Sequence, residues 1–349
     1  MSEELSLFQA NYGSLVLVIA LILGLCVGSF LNVVIVRLPI ILKKKWVLEA
    51  NEILDLESPP REDGISLSQP GSHCPNCKAR IRLRHNIPVV SYVRLFGKCA
   101  SCGKQISSRY LSIELATGGL TAFIIYSLGI TFTGVLGCFF TWALITLSCI
   151  DYDTNILPDD ITLPFLWLGL VANYFELFVD FRSAFVGVCL GYGLLWSTYH
   201  IHRFLTGRDG IGHGDFKLLA LIGAWVGWQP LFVVVLVASV VGLFFTAIHI
   251  LMIKKTINSI KFQTYKNLEI IIVYDDEDHA DLKYIKDIQK GDKRIKLIIN
   301  KKTIGAGRSR NIGINKSSSK YIAFLDADDL WKKNKIELQL KHMIKNNLE

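Results

Sequence analysis

Cys74-Pro-Asn-Cys77 and Cys99-Ala-Ser-Cys102 are two CxxC pairs separated by 21 residues. At that spacing two short knuckles complete a tetrahedral thiolate site, and zinc is the expected ion. Four sulfur ligands leave no open position, so the metal is structural, pinning a loop-rich segment that lacks a large core. The competing readings are two disulfides, disfavoured in a reducing cytosol, or two redox pairs, which want a thioredoxin-like context. His73 adjoins the first pair and is read as a bystander. The other cysteines, Cys26, Cys138, Cys149 and Cys189, lie in apolar stretches, where a lone thiol is a small packing residue.

A second chemistry comes from carboxylates at the edges of apolar stretches, which are costly there and tend to be functional. Asp151 closes the stretch ending Leu147-Ser-Cys-Ile150, and Asp215 opens the one beginning Phe216-Lys-Leu-Leu219. Two stretches intervene, so if each crosses a membrane both carboxylates return to the same face. Two neighbouring carboxylates do not both ionise easily: one keeps a proton while the other accepts one from water. Such a pair can activate water against a peptide carbonyl and protonate the leaving amine. Gly212-His-Gly-Asp215 flanks the second acid with glycines that let a substrate strand approach. The bland alternatives are helix capping by Asp215 and simple solvation of Asp151. Asp153, Asp159 and Asp160 are nearby competitors; Asp159 and Asp160 follow Pro158 and are read as capping the next helix, Asp153 as interfacial. His213 is read as solvent-exposed.

The elements that must position these groups are membrane spans. Residues 15–36 carry no charge and are long enough to cross a ~30 Å hydrocarbon core as a helix. The acidic start (Glu3, Glu4) and the lack of a cleavage site argue against a signal peptide. Further apolar stretches at about 111–130, 134–150, 161–179, 183–201, 216–229 and 231–253 bring the count to about seven. Basic residues at 37–45, 80–109, 203–217 and 254–255 fall on one side of seven spans, which the charge rule places in the cytosol with the N-terminus outside. The expected layout is a first span (1–37), a cytosolic zinc insert (38–110), a transmembrane bundle (111–253) and a cytosolic tail (254–349). Residues 49–63, acidic and holding Pro59-Pro60, read as a mobile part of the insert.

Composition agrees: 51% of residues are hydrophobic, 19% are charged, and mean hydropathy is +0.38. Soluble domains carry about 25% charged residues, so an ordinary cytosolic protein, a disordered one and a small disulfide-stapled one are all excluded. The net charge of +8 is uneven. Residues 1–253 hold 17 Lys and Arg against 17 Asp and Glu, and the tail holds 21 against 13. This excess is scattered lysine rather than a dense block, so no nucleic-acid partner is expected.

Ordered motifs over about 20–252 resemble the type IV prepilin peptidases, the bifunctional leader peptidases and N-methyltransferases of pilus and type II secretion systems. They are Gly28-Ser-Phe-Leu-Asn-Val-Val-Ile-Val-Arg-Leu-Pro39, the double CxxC insert, Asn86-Ile-Pro-Val-Val-Ser-Tyr92, Ile106-Ser-Ser-Arg-Tyr110 and Glu114. Ile150-Asp-Tyr-Asp-Thr-Asn-Ile-Leu-Pro-Asp159, Gly212-His-Gly-Asp-Phe-Lys-Leu-Leu219 and Gly223-Ala-Trp225 complete the set. The resemblance implies an aspartyl endopeptidase in the bacterial inner membrane that cleaves prepilin or pseudopilin leaders after glycine at the cytosolic face. S-adenosylmethionine-dependent methylation of the new N-terminus would follow. It places catalysis on Asp151 and Asp215 and zinc on Cys74, Cys77, Cys99 and Cys102. No Gly-rich loop marks the methyl-donor site. Glu114 faces the peptidase cleft, the cofactor or a basic partner. The family's usual further span with a Pro-Phe-Gly-Pro-like motif is missing, because the pattern changes character after Ile253.

From Lys254 the pattern becomes α/β. Leu268–Val273 and Arg294–Ile299 read as buried strands, and Tyr321–Asp329 as a strand running into carboxylates, followed by a helix at 330–346. The segment resembles the nucleotide-binding half of a family 2 glycosyltransferase, of the Rossmann-like GT-A type. The carrying residues are 259–265, Val273–Asp276, Gly305-Ala-Gly-Arg-Ser-Arg-Asn311 and Phe324–Asp329. That likeness implies a nucleobase contact at Asp275 or Asp276, and Mg²⁺ or Mn²⁺ with a sugar diphosphate at Asp326 and Asp328. The family's opening strand is absent, so the tail is expected to be incomplete and inactive. The fold expected is therefore an all-α polytopic membrane bundle with a zinc insert and an α/β fragment. Against the peptidase stand two alternatives, a membrane-anchored family 2 glycosyltransferase and an inert zinc-organised fusion.

Overall fold

A computed structural model describes residues 2–56, 65–207, 210–276, 282–327 and 329–346. It divides into two compact units, Met1–Val234 and Val235–Glu349. The division falls inside a helix, ahead of the change of character near 253.

The first unit is helical: α1 (Ser2–Ile53), α2 (Val90–Arg94), α3 (Ser108–Leu128), α4 (Phe132–Thr154), α5 (Asp159–Tyr174), α6 (Phe181–Thr206), α7 (His213–Val226) and the start of α8 (Gln229–Lys261). A helix forms at each of the seven apolar stretches, but only α1, α3, α4, α6 and α8 are long and apolar enough to cross a membrane. With 16 and 14 residues, α5 and α7 reach roughly 24 and 21 Å at about 1.5 Å per residue, short of a ~30 Å core. Punctuation sets these lengths. Pro158 precedes α5, while α7 starts after Gly212 and stops at Gly227, whose φ is 79°.

Helix α1 runs beyond its expected end at 37, through Pro39 and the three lysines to Ile53. Residues 40–53 contain no glycine or further proline, and Lys45 pairs with Glu49 one turn on at 3.9 Å. The segment 49–53 is thus helix rather than loop. The rest of the stretch read as mobile, from 57 onward, lies outside the described residues.

Without a hydrophobic drive in lipid, helices associate through close backbone approach. A Cβ on Gly24 would lie 2.6 Å from Thr121 Oγ1, and one on Gly28 would lie 2.8 Å from Glu114 Cα, so α1 and α3 meet along a Gly24–Gly28 stripe. Likewise α6 and α7 touch backbone to backbone, a Cβ on Gly187 falling 2.5 Å from the Gly223 carbonyl oxygen. Trp225, fully buried, stacks on Phe140 at 4.6 Å and donates its indole N–H to Phe165 O at 2.8 Å.

Asn173 locks the far end of α7. Its amide donates to Ala224 O at 2.8 Å and Trp225 O at 3.2 Å, while Oδ1 accepts from Phe178 N at 3.1 Å and Val179 N at 3.0 Å. The two bonds to α7 are buried and the two to the turn at 178–179 partly so. Asn173→Leu strands two carbonyls and two N–H groups, and we expect a loss of about 3–5 kcal/mol. Thermal unfolding of the purified chain checks this; an unchanged midpoint would dismiss the clasp.

The second unit continues α8 into a two-stranded parallel sheet, β1 (Ile270–Tyr274) beside β2 (Ile295–Ile299), with Ile270 opposite Ile295. Helices α9 (Leu282–Gly291), α10 (Ala306–Lys316) and α11 (Lys335–Lys345) flank it. The expected third strand does not form: residues 322–326 have no regular structure, and Ile322 and Phe324 are about half exposed. A strand needs a paired edge, and among the described residues no opening strand offers one. A complete Rossmann-like sheet is therefore not seen among the described residues.

Candidate functional site

The last turn of α4 carries Asp151 and the first turn of α7 carries Asp215. The two carboxylates lie within Coulombic reach of one another, and both are partly buried. What joins the two helix ends is the loop after α4. Asn155 terminates α4 in the left-handed conformation, φ 50°, and Leu157 then packs against α7. A Cβ on Gly214 would lie 2.9 Å from Leu157 Cβ. This glycine is needed for the protein's own packing. Gly212 serves the acid directly: a Cβ there would press on Asp215 Oδ2 at 3.3 Å.

Asp215 is three residues beyond the N-cap, Gly212, and its carboxylate accepts the Gly212 N–H. That is the reciprocal half of a capping box. The capping reading is met in this modified form, and it fixes the carboxylate's direction while leaving it beside Asp151.

The neighbouring aspartates are otherwise engaged. Asp153 accepts from Arg109 Nη1 at 2.5 Å, and the same guanidinium donates through Nη2 to Cys149 O at 3.2 Å. Asp159 holds Lys217 Nζ with both oxygens at 2.7 Å, so it ties α5 to α7 instead of capping its own helix. Asp160 is exposed. Asp151 has no basic partner among the described residues. His213 is exposed and its ring lies 5.1 Å from Tyr199. Arg109 and Lys217 stand inside motifs noted in the sequence, but their pairing was not readable there, because each partner is dozens of residues away.

The four insert cysteines converge. All four Sγ atoms lie within 4.8 Å of one another, with Cys74–Cys102 at 3.9 Å and Cys77–Cys99 at 4.0 Å. Zn–S bonds of ~2.3 Å in a tetrahedron place sulfurs about 3.8 Å apart, so the set fits zinc. None is in a disulfide. The knuckles are alike: Cys74 N donates to Ala79 O at 3.0 Å, and Cys99 N to Lys104 O at 2.9 Å. Each turns through a residue of positive φ, Lys78 at 58° and Gly103 at 69°. Backbone N–H groups of Cys102 and Ser101 pull the Cys99 thiol down to about 6. At Cys77 the Ala79 N–H pulls the same way, but burial and the neighbouring thiols outweigh it and push the group up to about 11. Four packed sulfurs cannot all ionise without a cation, which a bound zinc would supply. His73 Nδ1 lies 3.1 Å from Gly71 O and is outside the ligand set.

Glu114, in α3, has no basic partner among the described residues. It accepts from Val89 N at 2.7 Å and from the Ser29 hydroxyl, so it seats the insert on the α1–α3 pair. Asn32 Nδ2 adds a bond to Tyr110 O at 3.1 Å.

In the tail, Asp275 accepts from Asn300 Nδ2 at 2.7 Å, Ile304 N at 3.0 Å and Gly305 N at 2.8 Å, and these donors hold its carboxyl below the usual range. Asp326 is paired with Arg310 at 2.7 Å. Asp328 lies outside the described residues. No metal-ligating cluster other than the four cysteines occurs among the described residues.

Comparison with known proteins agrees with this layout. Residues 22–128 match the bacterial peptidase A24 N-terminal domain and 138–247 the type IV leader peptidase family. A prepilin leader peptidase/N-methyltransferase of Stutzerimonas stutzeri is 46% identical over 223 residues, 64% of this chain and 77% of the relative. The chain belongs to the type IV leader peptidase family. The relative of the same description from Pseudomonas aeruginosa is 46% identical over 222 residues, covering 64% and 77%, and that from Dickeya chrysanthemi 44% over 242, covering 69% and 85%. Residues 244–349 match glycosyl transferase family 2. No solved structure matches the chain.

Proposed function

We propose that the chain is a multi-pass inner-membrane aspartyl endopeptidase that removes the leader of type IV prepilins and type II secretion pseudopilins after glycine. Methylation of the exposed N-terminus follows. The observation that carries this reading is the pairing of Asp151 with Asp215 at two helix ends while Asp153 and Asp159 are taken up by Arg109 and Lys217.

One carboxylate of the pair is ionised and takes a proton from water as the water oxygen attacks the scissile carbonyl. The other, protonated, gives its proton to the departing amine, which breaks the C–N bond. Bound S-adenosylmethionine supplies the methyl group for the amine so released. Cys74, Cys77, Cys99 and Cys102 would hold a zinc with no open position, so the ion would keep the insert folded rather than act in the hydrolysis. The catalytic ends, the insert and the tail are placed in the cytosol, with the N-terminus outside.

The tail as a working glycosyltransferase has less support. Its sheet has two strands among the described residues, and Asp326, the expected metal ligand, is held by Arg310. The test is the full chain in proteoliposomes with a purified prepilin and S-adenosylmethionine, read by intact mass. The expected product lacks the leader and is one methyl group heavier; an unprocessed prepilin would favour the inert fusion.

A further inference from the structure

Two carboxylates share a proton only while the elements that carry them hold still. Asp151 stands in the last turn of α4, where main-chain carbonyls run out of partners within the helix and the end frays. That turn is gripped from α3. The Arg109 guanidinium donates through Nη1 to Asp153 Oδ1 at 2.5 Å and through Nη2 to Cys149 O at 3.2 Å. Residues 149 and 153 are four apart and share one face of α4. Residue 151, two on from 149, lies about 200° round the helix, on the opposite face. Arg109 thus holds the back of the turn whose front carries Asp151. The arginine is itself well fixed. It is the second residue of α3, and Ser107 caps that helix by accepting the Arg109 N–H at 3.3 Å. The chain entering the cap is tied to the second knuckle, where Ile106 N donates to Gly97 O at 2.7 Å and Tyr92 Oη to Ile106 O at 3.3 Å.

We infer that Arg109 is a positioning residue for leader cleavage: by clamping Cys149 O and Asp153 it fixes the last turn of α4, and with it the approach of Asp151 to Asp215. It acts through the backbone of α4 and takes no part in proton transfer. The inference rests on the paired-carboxylate reading. Stability is not what the pair supplies, because the Arg109 and Asp153 side chains are 40% and 28% exposed, and ion pairs so open to water add little. Its use is geometric. A guanidinium presents its nitrogens in a rigid fork, one taking the carboxylate and the other the carbonyl, and a lysine ammonium has no such fork. Because α3 begins where the second knuckle ends, the same clamp ties the insert to the peptidase centre. The other charged groups at these helix ends are Asp159 and Lys217, paired with each other, and the exposed Asp160 and His213.

The test is the pH dependence of leader cleavage by the full chain in proteoliposomes, wild type against Arg109→Gln and Arg109→Lys, with zinc content and thermal midpoint measured alongside. Carboxylates held close titrate as a pair with apparent values pushed apart, and the values approach one another when the carboxylates separate. Arg109→Gln should lower kcat by roughly 10–100-fold and leave KM within about twofold, while its two pH limbs move together. Arg109→Lys, which keeps a charge opposite Asp153, should recover part of the rate. A variant that merely folds less well loses rate with both limbs in place. That result, or a wild-type kcat in Arg109→Gln, would overturn the inference and leave the paired carboxylates standing. If Arg109→Gln does not fold, Arg109→Lys decides, and wild-type rate and limbs in that variant would overturn the inference. A wild-type chain without two limbs would overturn the paired-carboxylate reading, and this inference with it.

Discussion

Asp151→Asn and Asp215→Asn should each lower leader cleavage by roughly 10³-fold or more, since each removes one half of an acid–base pair. Neither change alters volume, and an asparagine at 215 can still accept the Gly212 N–H through its amide oxygen. Expression level and zinc content should therefore match wild type. Asp160→Asn, at an exposed carboxylate with no role in this scheme, should cleave normally. Processing followed by gel shift or intact mass separates the three. Normal cleavage by either paired variant would remove that residue from the mechanism.

The second large effect concerns the metal. Binding free energies of structural zinc are about 10–16 kcal/mol near neutral pH, more than a segment of this kind gains from its own core. Among the described residues of 65–107, Cys74 is the one buried hydrophobic residue. Cys99→Ser, or chelation of the wild type, should take zinc from one per chain to none, and residues 65–107 should lose amide-exchange protection. Acidification should act in the same direction, because the ligating sulfurs must be deprotonated. Protection that persists in the metal-free chain would show that Glu114, Asn32 and Arg37 anchor the insert unaided.

Much of this was readable in the residue order. The two CxxC pairs announce by spacing alone the cysteine cluster that the fold assembles, and Asp151 and Asp215 stand where apolar stretches end and begin. The unreadable part was long-range. The packing of Leu157 against Gly214 joins residues 57 apart in the chain and leaves no local mark. Asp159 looked like a cap, but Lys217, 58 residues on, claims both its oxygens. Hydropathy showed where α5 and α7 lie without showing that they are shorter than the other helices of the bundle, because their limits come from Pro158, Gly212 and Gly227. Asn173 carries no sequence signal at all: its four bonds exist only once α5, α7 and the turn at 178–179 have met. In the tail, local pattern predicted a strand at 321–325 that the fold does not form, since pairing is not a local property.

The rate of leader cleavage against pH, measured with the wild-type chain in proteoliposomes, tests the paired-carboxylate claim most directly. One acid must be ionised while the other keeps its proton, so the rate should rise and then fall with two limbs that belong to the pair. A rate that climbs to a plateau through a single ionisation would contradict the account, because it would leave only one carboxylate at work.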